Sequence, residues 1–509
     1  MNKKLISIFA LLLLPIAIYS QAPAIQWKKT FGGSILDFAK DVQQTSDGGY
    51  IVAGYSYSSD GDVIGNDGGI DCWIVKLNSN GVIQWQKSLG GTSPDYAYSI
   101  QQTTDGGYII AGRSWSNDGD VNGNHGDSDY LVFKLNANGV IQWQKSLGGS
   151  DTDYANSIRQ TTDGGYIIAG ISNSNNFDVT ENYAGYDFWI VKLNSNGTID
   201  WQKSYGGGGE DWANSVQQTV DGGYIVAGYS NSNNGTITGN HGDTDYWVIK
   251  LDNNGIVEWQ KSLGGSNTDK ANAIQQTADG GYIIAGESKS NNGDVSGNHG
   301  GTDCWIVKLN GNGNIEWQKT VGGSLNDSAN SIKQTSDGGY IIAGNSESNN
   351  GDATQNFGKT DYWIFKLSQN GNLQWQKSLG GNDSETVAAA QQTSDGGYVV
   401  AGSSYSNNGD VTGNQGYSDY WVVKLGPDNL NTNEFTLKNT VLVENPAKDL
   451  LKIHSKDSIT SLQLYSMGGR IIKTSNSKTM SVKELPKGIY ILKIQLENGK
   501  TISEKIIKE

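Results

Sequence analysis

The chain has 509 residues, a net charge of −15 and two cysteines, which exceeds one ordinary domain but does not set a domain count if the chain is repetitive. From Glu434 onward 13 Lys or Arg stand against 8 Asp or Glu, so the preceding residues carry −20. So acidic a body argues against nucleic acid and anionic membranes as partners and suits a solvated extracellular protein that meets cations.

The first 20 residues carry Lys3 and Lys4, then the apolar run Leu5 to Ile18 interrupted by Pro15, then Tyr19-Ser20-Gln21. That is the layout of a signal peptide over residues 1–20. Its apolar core is shorter than the roughly 20 residues that span a bilayer, and no later stretch is long and apolar enough, so no transmembrane segment is expected in the mature chain. No cysteine follows the apolar run directly, which favours release over a lipid anchor.

Beyond the leader the chain repeats. Trp27, Trp85, Trp143, Trp201, Trp259, Trp317 and Trp375 are each 58 residues apart, and the Asp-Gly-Gly-Tyr turn keeps the same step from Asp47 to Asp395, as does the Lys-Leu pair from Lys76 to Lys424. A fixed period of this length predicts stacked supersecondary units, none able to bury its apolar surface alone. Within the second unit four β-rich runs stand out: A, Ser99 to Thr103; B, Tyr108 to Gly112; C, Tyr130 to Leu135; and D, Val140 to Ser146. Hairpin turns, Thr-Asp-Gly-Gly and Asn-Ala-Asn-Gly, join A to B and C to D. Strand C is apolar at successive positions, so both of its faces must be covered, as in sheets packed between sheets.

The array opens with a lone D strand, Ile25-Gln26-Trp27-Lys28-Lys29, and the seventh unit stops after strand C at Lys424-Leu425. Those halves complete one blade in a way that resembles the clasp of β-propellers. The expectation is therefore an all-β chain: a seven-bladed β-propeller over residues 25–425 closed by the N-terminal strand, a linker over 426–435, and a small C-terminal β-sandwich over 436–509. The C to D hairpin also resembles the tryptophan-docking repeat of quinoprotein propellers, which implies an indole packed on the next blade; nothing carries the quinone over. The D-strand tryptophans and Trp73, Trp189, Trp247, Trp305, Trp363 and Trp421 are expected in the core, leaving Trp115 and Trp212. Cys72 and Cys304 share a column otherwise filled by Tyr or Phe, four periods apart, and are expected as buried free thiols beyond disulfide reach.

The tail reads Asn445-Pro446, Leu450-Leu451-Lys452-Ile453, Leu462 to Arg470 with Gly468-Gly469, and Leu485-Pro486-Lys487-Gly488-Ile489-Tyr490. It resembles the C-terminal sorting domain of the Bacteroidetes type IX secretion system, with Asn445, Pro446, Gly469, Arg470, Gly488 and Tyr490 as motif positions. The resemblance implies passage through the periplasm, the secretion machinery as partner, and secretion or display on the outer cell surface.

Binding residues usually stand on long loops of a rigid scaffold, which points to the D to A and B to C loops. Three acidic columns converge there: Asp37 to Glu385, Asp62 to Asp410 with Thr236 breaking the series, and Asp71 to Asp419. Asp118, Asp120, Asn122 and Asp127 offer hard oxygens, making calcium the one candidate cofactor; Asp and Asn capping their own turns is the alternative. His125, His241 and His299 share a loop column with unrelated residues. Where the copies disagree, Tyr55, Tyr57, Arg113, Trp115 and Tyr405 fall on adjoining units at the ends of B strands, a set on which a sugar ring can stack. The glutamines Gln44 to Gln392 are expected to bond between blades. A non-enzymatic binding or adhesion module for an extracellular glycan or surface protein is the leading expectation. A polysaccharide hydrolase or lyase using loop carboxylates and a structural matrix protein are the rivals, and fold cannot choose among them.

Overall fold

The computed structural model describes residues 20–66, 68–428, 441–443, 447–455, 458–466, 469–497 and 501–508. The expected leader, except Ser20, lies outside the described residues, as do Asp67, residues 429–435 of the expected linker, and Asn445 and Pro446. Among the described residues every regular element is a strand, and no helix is long and apolar enough to cross a membrane. The chain divides into two compact units, Met1–Asn429 and Leu430–Glu509.

The first unit holds seven four-stranded antiparallel sheets that resemble propeller blades. Six use consecutive strands; the second, for example, is Asp95–Gln102, Tyr108–Ser114, Asp129–Leu135 and Ile141–Leu147. The seventh, Glu385–Gln392, Tyr398–Ser404 and Asp419–Leu425, takes its outer strand from Ile25–Phe31, paired antiparallel from Ile25 with Leu425 to Phe31 with Tyr420. Strand A begins four residues earlier than alternation predicts, at Asp95 rather than Ser99. A bulge between Ala97 and Ser99 breaks the period of two there, so its first half does not read as a strand.

Each apolar core is shared by two sheets. Ile109, Ala111, Tyr130 and Val132 of the second sheet pack with Ala155, Ile158, Ile168 and Trp189 of the third. The C-strand tryptophans are fully buried, and Cys72 and Cys304 are buried free thiols whose pKa burial pushes well up. Six of the seven D-strand indoles lie half-buried against the turn glycine of the following sheet, as Trp85 against Gly139, while Trp375 donates to Asp428 instead; each meets the Asp-Gly-Gly-Tyr tyrosine of that sheet, as Trp85 meets Tyr108 at 5.7 Å.

Polar bonds repeat the same stitching. The side-chain oxygen of Gln102 accepts from Ser46 N at 2.8 Å, that of Gln160 from Thr104 N at 2.9 Å, and so on to Gln44, which accepts from Ser394 N at 2.7 Å. Tyrosines in the cysteine column do likewise, Tyr130 OH donating to Trp189 O and Tyr420 OH to Trp73 O, both at 2.8 Å. Strand A of the first sheet packs against strands A and B of the seventh.

The Lys-Leu pair has a role its spacing does not reveal. Lys134 is buried in strand C, and its ammonium donates to Asp105 Oδ2 at 2.9 Å, Leu135 O at 3.1 Å and Gln142 Oε1 at 3.1 Å, fastening both hairpin turns of the sheet. Burial pushes the Asp105 carboxyl up, but the Thr103 hydroxyl and the Lys134 ammonium outweigh it and hold it at about 2. Lys134→Met, which strands these acceptors, is expected to cost about 2 kcal/mol, read as a shift in the urea midpoint; an unchanged midpoint would mean the clamp is idle.

In the second unit, strands Val441–Val443, Leu450–Ser455 and Thr479–Ser481 form one sheet, and Ile471–Ser475, Ile459–Ser466, Gly488–Leu496 and Thr501–Lys508 another. One core, including Leu451, Leu462, Leu464, Leu492 and Ile506, serves both.

Candidate functional site

The second residue of strand A and the sixth of strand B are cross-strand partners: Phe38 with Tyr55, Tyr96 with Arg113, Trp212 with Tyr229. Such pairs stand side by side on one face, and here that face is aromatic over five consecutive sheets. From the seventh sheet, Tyr405 meets Phe38 at 6.1 Å; Phe38 meets Tyr55 at 5.3 Å; Tyr55 meets Tyr57 at 6.3 Å and Tyr96 at 4.6 Å; Tyr96 meets Trp115 at 5.9 Å. Beyond, Tyr154 meets Trp212 at 5.6 Å, and Trp212 stacks on Tyr229 at 5.8 Å. The Arg113 guanidinium sits among four rings, 4.5 Å from Trp115, 4.9 Å from Tyr96, 5.0 Å from Tyr154 and 5.9 Å from Tyr98, within cation–π reach of each. These rings are half-buried, and Tyr405 is 41% exposed.

The five residues singled out from the sequence are thus brought together, but Phe38 and Tyr96 join them. Their signal was present: the residue after the first acidic column is aromatic in four consecutive units, Phe38, Tyr96, Tyr154 and Trp212, and then Lys270, Ser328 and Thr386.

Beside the aromatic set lies a cavity of about 480 Å³ to which all seven sheets contribute, among them Phe38, Lys40, Tyr55, Tyr98, Asn214, Asn330, Thr386 and Tyr405. No Asp or Glu is among its lining residues.

The acidic columns do other work. Over Gly90 two of them meet: a Cβ there would stand 2.6 Å from Asp95 Oδ2 and 2.8 Å from Asp71 Oδ1, and Gly380 sits likewise over Asp361 and Glu385. Every seam between sheets therefore buries a carboxylate pair. Asp95 accepts from Gly91 N at 2.8 Å, Ser116 OH at 2.8 Å and Ser114 OH, tying strand A to two loops. Asp129 accepts from His125 N at 2.9 Å, and the same bond is made by Tyr183 N to Asp187, Phe357 N to Asp361 and Gln415 N to Asp419. The histidine is thus interchangeable, although its Nδ1 also lies 2.9 Å from Asp129 Oδ2. Among the described residues, no donor reaches the buried Oδ1 atoms of Asp187, Asp361 and Asp419. Burial raises these acids, Asp187 and Asp419 to about 7, Asp153 and Asp361 to about 6.

The calcium set does not converge. Asp118 accepts from Thr92 N at 2.8 Å and Thr92 OH at 2.7 Å; Asp127 from Trp115 Nε1 at 3.1 Å and Thr152 OH at 2.8 Å; the Asn122 carbonyl from Gln144 Nε2 at 3.2 Å; and Asp120 N donates to Gly90 O at 2.8 Å. The Asp118 and Asp127 carboxylates thus fasten separate elements, whereas calcium needs six or more oxygens around one point. Among the described residues no group of three or more His, Cys, Asp or Glu is placed to hold a metal, so these residues do not fit a calcium centre. Thr236 fits this picture: its hydroxyl accepts from Gly206 N at 2.9 Å where Asp294 accepts from Gly264 N at 3.2 Å.

In the tail, Gly469 takes φ +78° in the turn from Ile459–Ser466 to Ile471–Ser475, with Ser466 N donating to Arg470 O at 2.9 Å. Gly488 opens its strand, and Tyr490 is buried with its hydroxyl on Pro486 O at 2.8 Å. Asn445 and Pro446 lie outside the described residues.

Among solved structures the chain is similar to Sqt1 from Chaetomium thermophilum (10% identity, 78% of this chain and 100% of that one, TM-score 0.41) and the Pan2 WD40 domain of Neurospora crassa (10%, 77% and 90%, 0.41). It is also similar to BamB from Moraxella catarrhalis (12%, 95% and 99%, 0.35). No curated protein matches the chain. Residues 445–509 match the family described as secretion system C-terminal sorting domain. The chain therefore ends in a type IX secretion sorting domain of the kind found in Bacteroidetes, and is exported by that route to the cell surface or the medium.

Proposed function

We propose that the repeats, residues 25–425, close into a seven-bladed propeller and bind an extracellular glycan through the aromatic face, with residues 1–20 as leader and the two-sheet tail over 436–509 as a sandwich that delivers the protein outside. The observation that carries this reading is the asymmetry of that face: seven nearly identical scaffolds bear aromatic residues on five adjoining sheets and polar residues on the others. A scaffold requirement would repeat in every unit. Aromatic rings offer sugar C–H faces large contact area at low entropic cost, and a rigid ring of loops holds them in place. The hydrolase rival is disfavoured because the carboxylate pairs are buried under glycines while the open cavity is lined without any.

The test is binding of the full chain to a polysaccharide panel, beside a Tyr57→Ala, Trp115→Ala double variant, with released sugar assayed in parallel. The variant is expected to lose at least about tenfold in affinity, the equivalent of 1.4 kcal/mol, with no sugar released. Undiminished binding would remove the aromatic face from the site, and released sugar would return attention to the loop carboxylates.

A further inference from the structure

The cavity beside the aromatic face is itself unequal around its rim, at the fourth residue of strand A. Four consecutive sheets place asparagine there. Asn156 Nδ2 donates to Ala213 O at 2.9 Å, Asn214 to Ala271 O at 2.8 Å, Asn272 to Ala329 O at 2.9 Å and Asn330 to Val387 O at 2.7 Å, each carbonyl on the next sheet. A backbone carbonyl only accepts, so the amide nitrogen must face it and the side-chain oxygen is turned the other way. Asn156 Nδ2 also lies 3.5 Å from Asn214 Oδ1, and among the described residues no donor reaches the Asn272 or Asn330 oxygen. This arc therefore presents acceptors to the cavity.

The opposite arc holds Ala388, Lys40 and Tyr98. The Lys40 ammonium stands 5.5 Å from the Tyr55 ring centre and 5.9 Å from Phe38. No carboxylate pairs with it among the described residues. Its neighbour Asp41 is engaged elsewhere, accepting from Val42 N at 2.9 Å and Ile100 N at 3.0 Å. Burial lowers the Lys40 pKa, the signature of a cation short of solvent and of a counter-charge. The tyrosines lining the cavity, Tyr55, Tyr98 and Tyr405, are all pushed upward by burial and stay neutral. Lys40 is thus the one charged side chain among the residues that line the cavity, in a repeat array that is otherwise strongly acidic.

One cation, an arc of acceptors and aromatic walls specify a ligand with one negative charge, many hydroxyl donors and an apolar face. We infer that the cavity takes a uronate unit of a glycan, its carboxylate on Lys40 Nζ, its hydroxyls donating to the asparagine oxygens and its ring face against Phe38 and Tyr55. This rests on the glycan reading above and names the class of sugar. A lone ammonium matches a monoanionic carboxylate better than a dianionic phosphate, which draws several donors. The volume, about 480 Å³, is within the range of small-molecule sites.

The test is calorimetric titration of the full chain with tetragalacturonate and tetraglucuronate, and with their methyl esters, which keep shape and hydroxyls but lose the charge. The free acid is expected to bind at least about tenfold more tightly than its ester. Lys40→Gln should abolish that preference and Lys40→Arg should keep most of it, with folding of both variants checked by tryptophan fluorescence. Equal binding of acid and ester, or a preference that survives in a folded Lys40→Gln, overturns the uronate assignment and leaves the glycan reading standing. Binding of neither form by a chain that binds neutral polysaccharides overturns the assignment alone; binding of no glycan at all overturns both.

Discussion

Alanine in place of Gly228 is expected to unfold the fourth sheet. A Cβ at this position would lie 1.8 Å from Trp212 O, 2.8 Å from Trp212 C and 3.0 Å from Ala213 Cα, all backbone atoms that no rotamer change can move. The cause is the strand A bulge, here between Ala213 and Ser215, which drives the carbonyl before it into strand B. The same encounter recurs at Gly54, Gly112 and Gly344, with carbonyl distances of 1.9, 1.7 and 1.9 Å, so every unit keeps glycine there for steric rather than conformational reasons. The destabilisation should exceed about 3 kcal/mol, the upper end of overpacking costs. Gly222→Ala is the matched control: it has φ +88° and nothing within 4 Å, so it should cost only about 1 kcal/mol of left-handed strain. Urea unfolding followed by tryptophan fluorescence ranks the two, and a Gly228→Ala no worse than Gly222→Ala would refute the bulge argument.

The second large effect is on pH. Stability should peak in mildly acid solution and fall toward pH 8, the reverse of what surface carboxylates give. Asp187 and Asp419 hold their protons to about 7 and Asp153 and Asp361 to about 6 because burial disfavours the charge, whereas in the unfolded chain they ionise near 4. Between those values the folded state binds more protons, so unfolding releases them and stability drops as pH rises. The contribution is whole below pH 4 and lost as pH passes through 6 to 7. At a slope of about 1.4 kcal/mol per pH unit for each proton held, the two acids at about 7 lose roughly 2 kcal/mol each and the two at about 6 roughly 1.4 each, on the order of 7 kcal/mol in all between pH 5 and 7. On the acid side, Asp47, Asp105 and Asp163 are held at about 2; their contribution is present above pH 4 and is lost as pH falls toward 2. Urea midpoints from pH 3 to pH 8 would show the maximum, and Asp187→Asn should flatten the alkaline limb. A midpoint rising steadily from pH 5 to pH 8 would contradict the buried-pair reading.

The unit boundaries were legible because the Trp, Asp-Gly-Gly-Tyr and Lys-Leu marks never lose step over seven copies, and the borrowed D strand was legible because the ends of the array are complementary. What stayed hidden traces mostly to the bulge. Alternation puts residue 42 on the same side as residue 40, yet Val42 packs in the core while Lys40 faces the cavity. Period-two reading therefore could not assemble the cavity wall from Lys40, Asn156 and their equivalents. The aromatic face was partly legible, since Tyr55, Tyr57, Arg113, Trp115 and Tyr405 stand in columns where the copies disagree. Phe38 and Tyr96 were not legible because they precede the bulge, in the half of strand A that does not alternate in step with the rest. The loop around Asp118 is rich in hard oxygens, but the carboxylates of Asp118 and Asp127 are taken by Thr92, Thr152 and Trp115, a matter of three-dimensional placement that composition does not carry.

The pairing of Ile25–Phe31 with Asp419–Leu425 brings together segments about 400 residues apart, and it sets a timetable. A chain still emerging, or cut short before residue 419, has six complete sheets and a seventh that cannot form, and it leaves strand Ile25–Phe31 with no partner for its hydrogen bonds. Asp428 extends the delay: it takes Trp375 Nε1 at 2.9 Å, Tyr398 OH at 2.7 Å and the Lys366 ammonium. Completion therefore waits on residues just ahead of the sorting tail. Closing so long a loop is slow, and the unpartnered strand is an invitation to aggregate until it is done. The segment addressed to the exporter is made immediately after the one that finishes the fold, so the chain acquires its exit signal at the moment it becomes able to complete itself.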